Sequence, residues 1–330
     1  MDLLAENLCF SHPRRPVLRG CTLTAATGRA VALVGPSGSG KTTLLWLLAG
    51  LLRPEAGRVV LGDEARPPGK AARPRIGMVF QQPMLWGHLT VEGHLKLVLS
   101  DWRADRRQRG RRIDAILSRM RLGELRRRLP GELSGGERQR LAIARALVVA
   151  PDVLLLDEPL AHLDGEARRE LFGLLAGTLT DTAAAAVLAT HNAAEALRIA
   201  DDVAVLLDGR IVQAGPAKQV YRHPVSLAAA VALGPACELA GLAESGRLVA
   251  DGAVLLEGLD PARAGEVRLI LRPEDVAFEP AAAGAAEVVA ADFAGAAYRL
   301  RLTVAGRDLV ALHTGPVPTG TKGRLRSTVK

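Results

Sequence analysis

The sequence predicts a layered α/β domain followed by a smaller all-β domain, and three observations carry that prediction. Over residues 1–235, short β-branched or leucine-rich runs alternate with longer helical stretches, the rhythm of a largely parallel sheet covered by helices. After Pro235 the apolar segments shorten and are broken by Gly and Pro, as in a small sandwich or barrel. Charge changes at the same place: residues 1–234 hold 32 basic and 23 acidic residues, whereas residues 235–330 hold 11 and 12. A length of 330 residues is enough for two separate cores.

The elements follow in order. Met1 to Phe10 carries acids and no basic start, which argues against a signal peptide. Ala30 to Val34 reads as a buried strand and Thr42 to Leu52 as the helix after it. Arg103 to Arg128 holds 11 basic and 3 acidic residues, with Ile113, Ile116, Leu117, Met120 and Leu122 supplying a helical apolar stripe. Val153 to Leu156 and Ala183 to Thr190 read as further strands, and Glu137 to Val149 as a helix between them and the basic segment. Beyond Pro235, strand-like segments lie at Arg247–Glu257, Val267–Arg272, Glu287–Phe293, Tyr298–Val304 and Asp308–His313, with Ala281 to Ala286 a loop or helical turn.

Composition excludes several classes. With 48% hydrophobic and 24% charged residues the chain is neither disordered nor fibrous. Its three cysteines, Cys9, Cys21 and Cys237, stand too far apart for a disulfide framework or a CxxC metal site. No apolar run reaches the ~18 residues of a membrane helix. The net charge of +8 equals that of the Arg103–Arg128 segment alone, so the basic balance is local. It reads as a solvated helical face, or as a surface near anionic lipid, ahead of a nucleic-acid footprint.

Gly35-Pro36-Ser37-Gly38-Ser39-Gly40-Lys41-Thr42 satisfies GxxxxGK[ST], between a predicted strand and a predicted helix. Glycines there let consecutive N–H groups curl into an anion nest at a helix N-terminus. Lys41 is placed for the β- and γ-phosphates of a nucleotide, and the Thr42 hydroxyl for Mg²⁺. A Gly-rich turn with a solvent lysine is the bland alternative, and the strand–loop–helix context disfavours it. A dinucleotide fingerprint fails, because Thr43 stands where GxGxxG needs its last glycine. Asp157-Glu158 ends the apolar run Val153–Leu156. A carboxylate at a buried strand end is costly without a cation, so Asp157 is the second candidate Mg²⁺ ligand, and Glu158 the base that takes a proton from an attacking water.

Further motifs carry a resemblance. Leu133-Ser134-Gly135-Gly136-Glu137 resembles the LSGGQ signature of ATP-binding cassette transporter subunits, with Glu137 in place of Gln. Gln81 resembles that family's Q-loop, Asp164 its D-loop and His191 its switch histidine. His12 stands where the family's adenine-stacking aromatic falls, and Asn192 where an Asp often follows the histidine. Leu271-Arg272-Pro273-Glu274-Asp275 resembles a recurrent segment of the oligonucleotide-binding-like regulatory domain of importer ATPases.

The resemblance implies a P-loop NTPase cassette over residues 1–235, with a helical signature subdomain at about 82–150, and an OB-like domain over 236–330. It implies ATP and Mg²⁺ as ligands. His12 and Gly35 to Thr43 would bind ATP; Thr42, Gln81 and Asp157 would face the metal; Glu158, His191 and Gln81 would serve hydrolysis. Ser134 to Glu137 would act in trans, across a head-to-tail homodimer or a dimer with a close paralogue. The expected setting is the cytoplasmic face of the inner membrane, on separate permease subunits and indirectly a solute-binding protein, with no nucleic acid. The solute class implied is iron(III), polyamine, sulfate/molybdate, thiamine or sugar. A soluble cassette ATPase acting on nucleic acid or ribosomes is the competing reading; a single cassette with Lys41 and Ser134 this close disfavours it. A P-loop small-molecule kinase would have no use for Ser134 to Gly136.

Overall fold

The computed structural model describes residues 1–13, 15–62, 64–65, 75–100 and 105–328, and the chain divides into two units, Met1–Arg222 and His223–Lys330. In the first, the elements run β1 (Leu3–His12), β2 (Arg15–Ala25), β3 (Ala30–Val34), α1 (Lys41–Ala49), β4 (Ala56–Leu61), β5 (Glu64–Ala65), β6 (Ile76–Val79), α2 (Val91–Val98), α3 (Arg106–Arg119), α4 (Gly135–Leu147), β7 (Val153–Asp157), α5 (Gly165–Asp181), β8 (Ala185–Thr190), α6 (Ala193–Ile199), β9 (Asp202–Leu207), β10 (Arg210–Pro216) and α7 (Ala217–Arg222). Arg103, at the head of the basic stretch, lies outside the described residues.

The central sheet has the order β10-β9-β3-β8-β7-β6. Its strands pair in parallel except for β10, which lies antiparallel on the edge. Each residue of β3, β7 and β8 is buried, which explains why they are apolar up to Asp157 and Thr190 at the ends of β7 and β8. Alternation still decides the direction of each side chain. In β7, Leu154 and Leu156 join one core with Leu95, Ile116, Leu141 and Leu171 of the helices. Val153 and Leu155 join the other, with Leu44 and Leu48 of α1 and Leu3 and Leu23.

That second core shows an element the strand–helix reading lacked. Beside the parallel sheet stands an antiparallel one, ordered β2-β1-β4-β5, which covers α1 with Leu3, Ala5, Leu8 and Leu23. The predicted apolar stripe of the basic segment holds: Ile113, Ile116, Leu117, Met120 and Leu122 are buried together. Helix α1 is shorter than its expected span to Leu52. Gly50 adopts φ +70°, its N–H donates to Leu47 O and that of Leu51 to Trp46 O, a glycine stop of the Schellman kind.

The second unit contains α8 (Leu227–Ala232), β11 (Cys237–Glu244), β12 (Arg247–Ala250), β13 (Ala253–Glu257), β14 (Gly265–Leu271), β15 (Val276–Pro280), β16 (Ala286–Phe293), β17 (Tyr298–Val304), β18 (Arg307–His313) and β19 (Lys322–Ser327). These strands form one sheet ordered β14-β11-β12-β13-β19-β16-β17-β18, with β15 also paired to β19. The expected single segment Arg247–Glu257 is a hairpin, because Asp251 and Gly252 both take positive φ, +52° and +75°, as a two-residue primed turn requires. Its core is aliphatic, built on residues such as Leu239, Leu256, Leu300 and Leu325.

Candidate active site

The loop from Gly35 to Gly40 joins β3 to α1, at the carboxyl end of the central sheet, where open α/β folds bind ligands. Two of its glycines are required by space. A Cβ on Gly35 would lie 2.2 Å from Leu206 O, and one on Gly40, at φ +106°, 2.8 Å from Leu18 Cδ2. Lys41 is 6% exposed, and its Nζ donates to Gly35 O at 2.8 Å and Pro36 O at 3.0 Å. Burial lowers the pKa of this amine, opposed by the negative charge of Glu158 and Asp157. Ser39 Oγ is buried with no hydrogen-bond partner among the described residues.

Below the loop, Thr42 Oγ1 donates to Asp157 Oδ1 at 3.2 Å. Asp157 is 2% exposed. Burial pushes its carboxyl above the ordinary value, the Thr42 hydrogen bond opposes this, and Glu158 adds to the rise. Glu158 then leaves the strand with φ +44°, a left-handed conformation that is costly for a residue with a Cβ. Its N–H donates to Ala189 O at 3.0 Å. His191 Nδ1 lies 3.1 Å from Glu158 Oε2. The strained bend thus places a carboxylate and an imidazole side by side at two adjacent strand ends, the pairing expected of a base and the group that orients it.

These parts open onto one cleft of about 890 Å³, lined by His12, Ser37, Gly38, Gly40, Lys41, Thr42, Thr43, Gln81, Glu158 and His191 of the expected residues. Asp157 lies behind it, reached through Thr42. Sequence reasoning missed the other wall: Arg15, Val17 and Arg19 of β2, His162, Arg168, and Asp208-Gly209 between β9 and β10. Gly209 was detectable as part of an Asp-Gly turn, and its φ of +73° brings it so close to Val17 that a Cβ would stand 2.1 Å from Val17 O. Arg168 is held by Glu195 at 2.6 Å. His12 packs edge-on against Phe10, ring centroids 5.2 Å apart, so Phe10 supports the histidine and does not itself line the cleft.

Ser134, Gly135, Gly136, Glu137 and Asp164 do not line this cleft. Ser134 caps α4 reciprocally: its Oγ accepts from Glu137 N at 3.2 Å, and its own N–H donates to Glu137 Oε2 at 2.7 Å, a capping box. Asp164 caps α5 by accepting from the N–H groups of Glu166 and Ala167. Asn192, the departure beside His191, does the same for α6, accepting from Ala194 and Glu195.

A groove of about 330 Å³ is built from residues on both sides of Gln81 in the chain, with Met78, Phe80, Met84, Trp86 and Arg145 in its wall. Arg145, near the end of α4, donates to Met84 O at 2.6 Å and Pro83 O at 3.0 Å, and its guanidinium lies 5.2 Å from the Trp86 ring centre. His94 is fully buried. Its Nε2 accepts from Trp86 N at 2.9 Å, so Nδ1 carries the proton and donates to Thr90 O at 2.8 Å. Helix α4 therefore links the Ser134 end to the segment that follows Gln81.

Much of the basic segment is paired within the chain while staying largely exposed. Arg112 donates to Val148 O and Leu147 O at the end of α4. Arg119 pairs with Asp181, Arg121 with Glu170, Arg126 with Asp114 and Arg128 with Glu132. Arg106, Arg107 and Arg111 stay exposed on the first half of α3.

With this geometry in hand, the chain can be compared with known proteins. A family profile described as ABC transporter matches residues 18–161, and one described as TOBE domain matches residues 269–325. The chain is 39% identical over 281 residues to the sulfate/thiosulfate import ATP-binding protein CysA of Mesorhizobium japonicum, covering 84% of this chain and 81% of that one. It is 39% identical over 301 residues to the Fe(3+) ions import ATP-binding protein FbpC of Serratia marcescens, covering 88% and 85%. Among solved structures it is similar to cbiO1 of Clostridium perfringens, described as part of an ABC transporter complex, with a TM-score of 0.60 and 28% identity over 67% of this chain and 90% of that one. It is also similar to a dimeric, post-hydrolysis ATP-binding cassette bound to ADP and Pi, with a TM-score of 0.58 and 26% identity over 65% and 98% of the two chains. Identity of 39% over more than four fifths of each chain places the protein: it belongs to the ABC transporter family, as an import-type ATP-binding subunit whose ATPase activity drives transport.

Proposed function

We propose that two copies of this chain close head to tail on two ATP molecules, each site combining the Lys41 cleft of one copy with Ser134 to Gly136 of the other, and that closure drives separate permease subunits. The observation that carries the reading is the separation within one chain: the cleft holds Lys41, Thr42, Glu158 and His191, and the second anion-binding helix start lies outside it. Closing the gap with a second copy is the symmetric solution.

Mg²⁺ fits the donors present. The hydroxyl of Thr42 and the carboxylate of Asp157 meet at 3.2 Å, and both are hard oxygen donors of the kind Mg²⁺ takes. Thr42 and Asp157, with Gln81 at the cleft wall, would hold the ion, which when bound neutralises charge on the β- and γ-phosphates. The chain does the rest. Lys41 exchanges its two loop carbonyls for phosphate oxygens. Glu158 takes the proton of the attacking water, and His191 holds that water and the γ-phosphate in line. His12, with Phe10 behind it, faces the base.

The groove beside Gln81 receives the permease, because α4 and the Arg145 contacts tie it to both nucleotide-linked ends. The complex sits at the cytoplasmic face of the inner membrane, and a separate solute-binding protein supplies a small inorganic ion, the class named in the relatives' descriptions. Glu158→Gln keeps size and hydrogen bonding but removes the base. It should lower hydrolysis by about 10²–10⁴-fold and leave ATP affinity within a few-fold; wild-type turnover in this variant would sink the assignment.

A further inference from the structure

The C-terminal unit contains a cavity of about 320 Å³, within the size range of small-molecule sites. Its wall is apolar, with Val231 from α8, Leu271 at the end of β14, Val289 from β16 and Val310 from β18. Val231 is 54% exposed and Val289 50%, so two large aliphatic side chains stand open in a concavity, where covering them with a ligand is favourable. Val289 is turned there by a register shift in β16, between Val288 and Ala290.

Two charged residues reach this lining, Arg301 and Asp308. Arg301 stands opposite Val310, and Thr303 opposite Asp308. Arg301 and Asp308 are therefore diagonal neighbours on one face of the β17–β18 pair, a spacing of about 7–8 Å. Asp308 forms no ion pair among the described residues. Arg301 approaches Asp292 at 3.7 Å with both side chains more than half exposed, a contact of little worth that is easily exchanged. Opposite charges held apart at the rim of an apolar cavity match a zwitterion with an apolar body. A tetrahedral oxyanion matches poorly, since it would meet one exposed guanidinium with a carboxylate beside it.

We propose that this cavity binds a free α-amino acid with a branched aliphatic or aromatic side chain, its carboxylate on Arg301, its ammonium on Asp308 and its side chain among Val231, Leu271, Val289 and Val310. The lining residues belong to the second unit, so the site does not depend on the nucleotide cleft.

Titration calorimetry of the full chain tests this with L-leucine, L-phenylalanine, isoamylamine, 4-methylpentanoate and sodium sulfate. At least one of the two amino acids should bind saturably at one site, with the amine, the acid and sulfate each at least tenfold weaker. Asp308→Asn and Arg301→Gln should each weaken amino-acid binding at least tenfold, leaving ATP affinity and the ligand-free melting temperature unchanged. Val289→Trp, which fills the cavity, should abolish it. The proposal is overturned if neither amino acid binds at 10-millimolar order concentration, if the amine or the acid binds as tightly as the amino acid, if both charge variants bind normally, or if sulfate alone binds.

Discussion

The starts of α1 and α4 both expose the backbone N–H groups and positive dipole end of a helix N-terminus, but they are finished in opposite ways. Helix α1 begins at Gly40, with no side-chain cap and no acid in its first turn. Helix α4 begins at Ser134 with a closed capping box and Glu137 in its first turn. An uncapped helix start keeps its donors and its positive dipole end for a ligand. The capped start has spent part of both on its own side chains. The open start suits α1 to bind an anion by itself, whereas the closed start of α4 suits the proposed role of adding to a site that another copy's phosphate loop supplies.

Removing the device should cost most. Lys41→Ala deletes the only amine in the phosphate loop, and ATP affinity measured by calorimetry should fall at least ~100-fold, about 2.7 kcal/mol. At the other start, Ser134→Ala should leave ATP affinity of the isolated chain within twofold. It should lower the melting temperature by about 2–4 °C, the effect of losing a cap worth ~1 kcal/mol in a domain of this size, and should lower turnover. Glu137→Gln keeps an N3 side chain able to close the box but removes its charge, so turnover should rise a few-fold at unchanged stability. Equal ATP-binding losses for Lys41→Ala and Ser134→Ala would erase the distinction between the two ends.

Asp157 sharpens the comparison through pH. Burial raises its pKa above the ordinary 3.8, so the folded state binds its proton more readily than the unfolded state. The resulting cost is absent below the unfolded pKa and grows as pH rises toward the folded value. Asp157→Asn should therefore raise the melting temperature at pH 7 while abolishing hydrolysis. Its advantage over the parent chain should vanish in melts taken below pH ~3.8. A variant less stable than the parent at pH 7 would mean that the carboxylate is paid back by a partner within the chain.

The smallest effect belongs to α3. Arg106, Arg107 and Arg111 sit at the positive end of that helix, where cations are unfavourable. Replacing all three with glutamine should change basal turnover less than twofold and raise the melting temperature slightly. Assembly with permease on anionic vesicles should weaken, in a salt-dependent way. Salt-sensitive duplex DNA binding lost in this variant, with assembly intact, would reassign the surface.

What could be read in the sequence was whatever backbone geometry forces on residue type at fixed spacing. Gly35 and Gly40 tolerate no side chain, Lys41 and Thr42 must follow them, and an apolar run ending in Asp157-Glu158 has few other uses. The opposite wall of the cleft was not legible. Arg15, Val17 and Asp208 arrive from β2 and from the β9–β10 turn, placed by strand pairing that no local pattern records. The basic segment was legible as a solvated face over an apolar stripe, but the partners of single arginines were hidden for the same reason. Arg112 looks like solvent-facing charge until tertiary structure shows it capping α4, and Arg145 looks like a helix-end cation until it is found holding Pro83 and Met84.

Sedimentation of Glu158→Gln with saturating MgATP is the most direct test of the composite site. The variant should be a dimer with ATP and a monomer without it. Adding Ser134→Arg in the same background should return the chain to a monomer that still binds one ATP per chain, since the Lys41 cleft is untouched. A double variant that still dimerises with ATP, or a monomer that has lost its nucleotide, would contradict a site shared between Lys41 of one copy and Ser134 of the next.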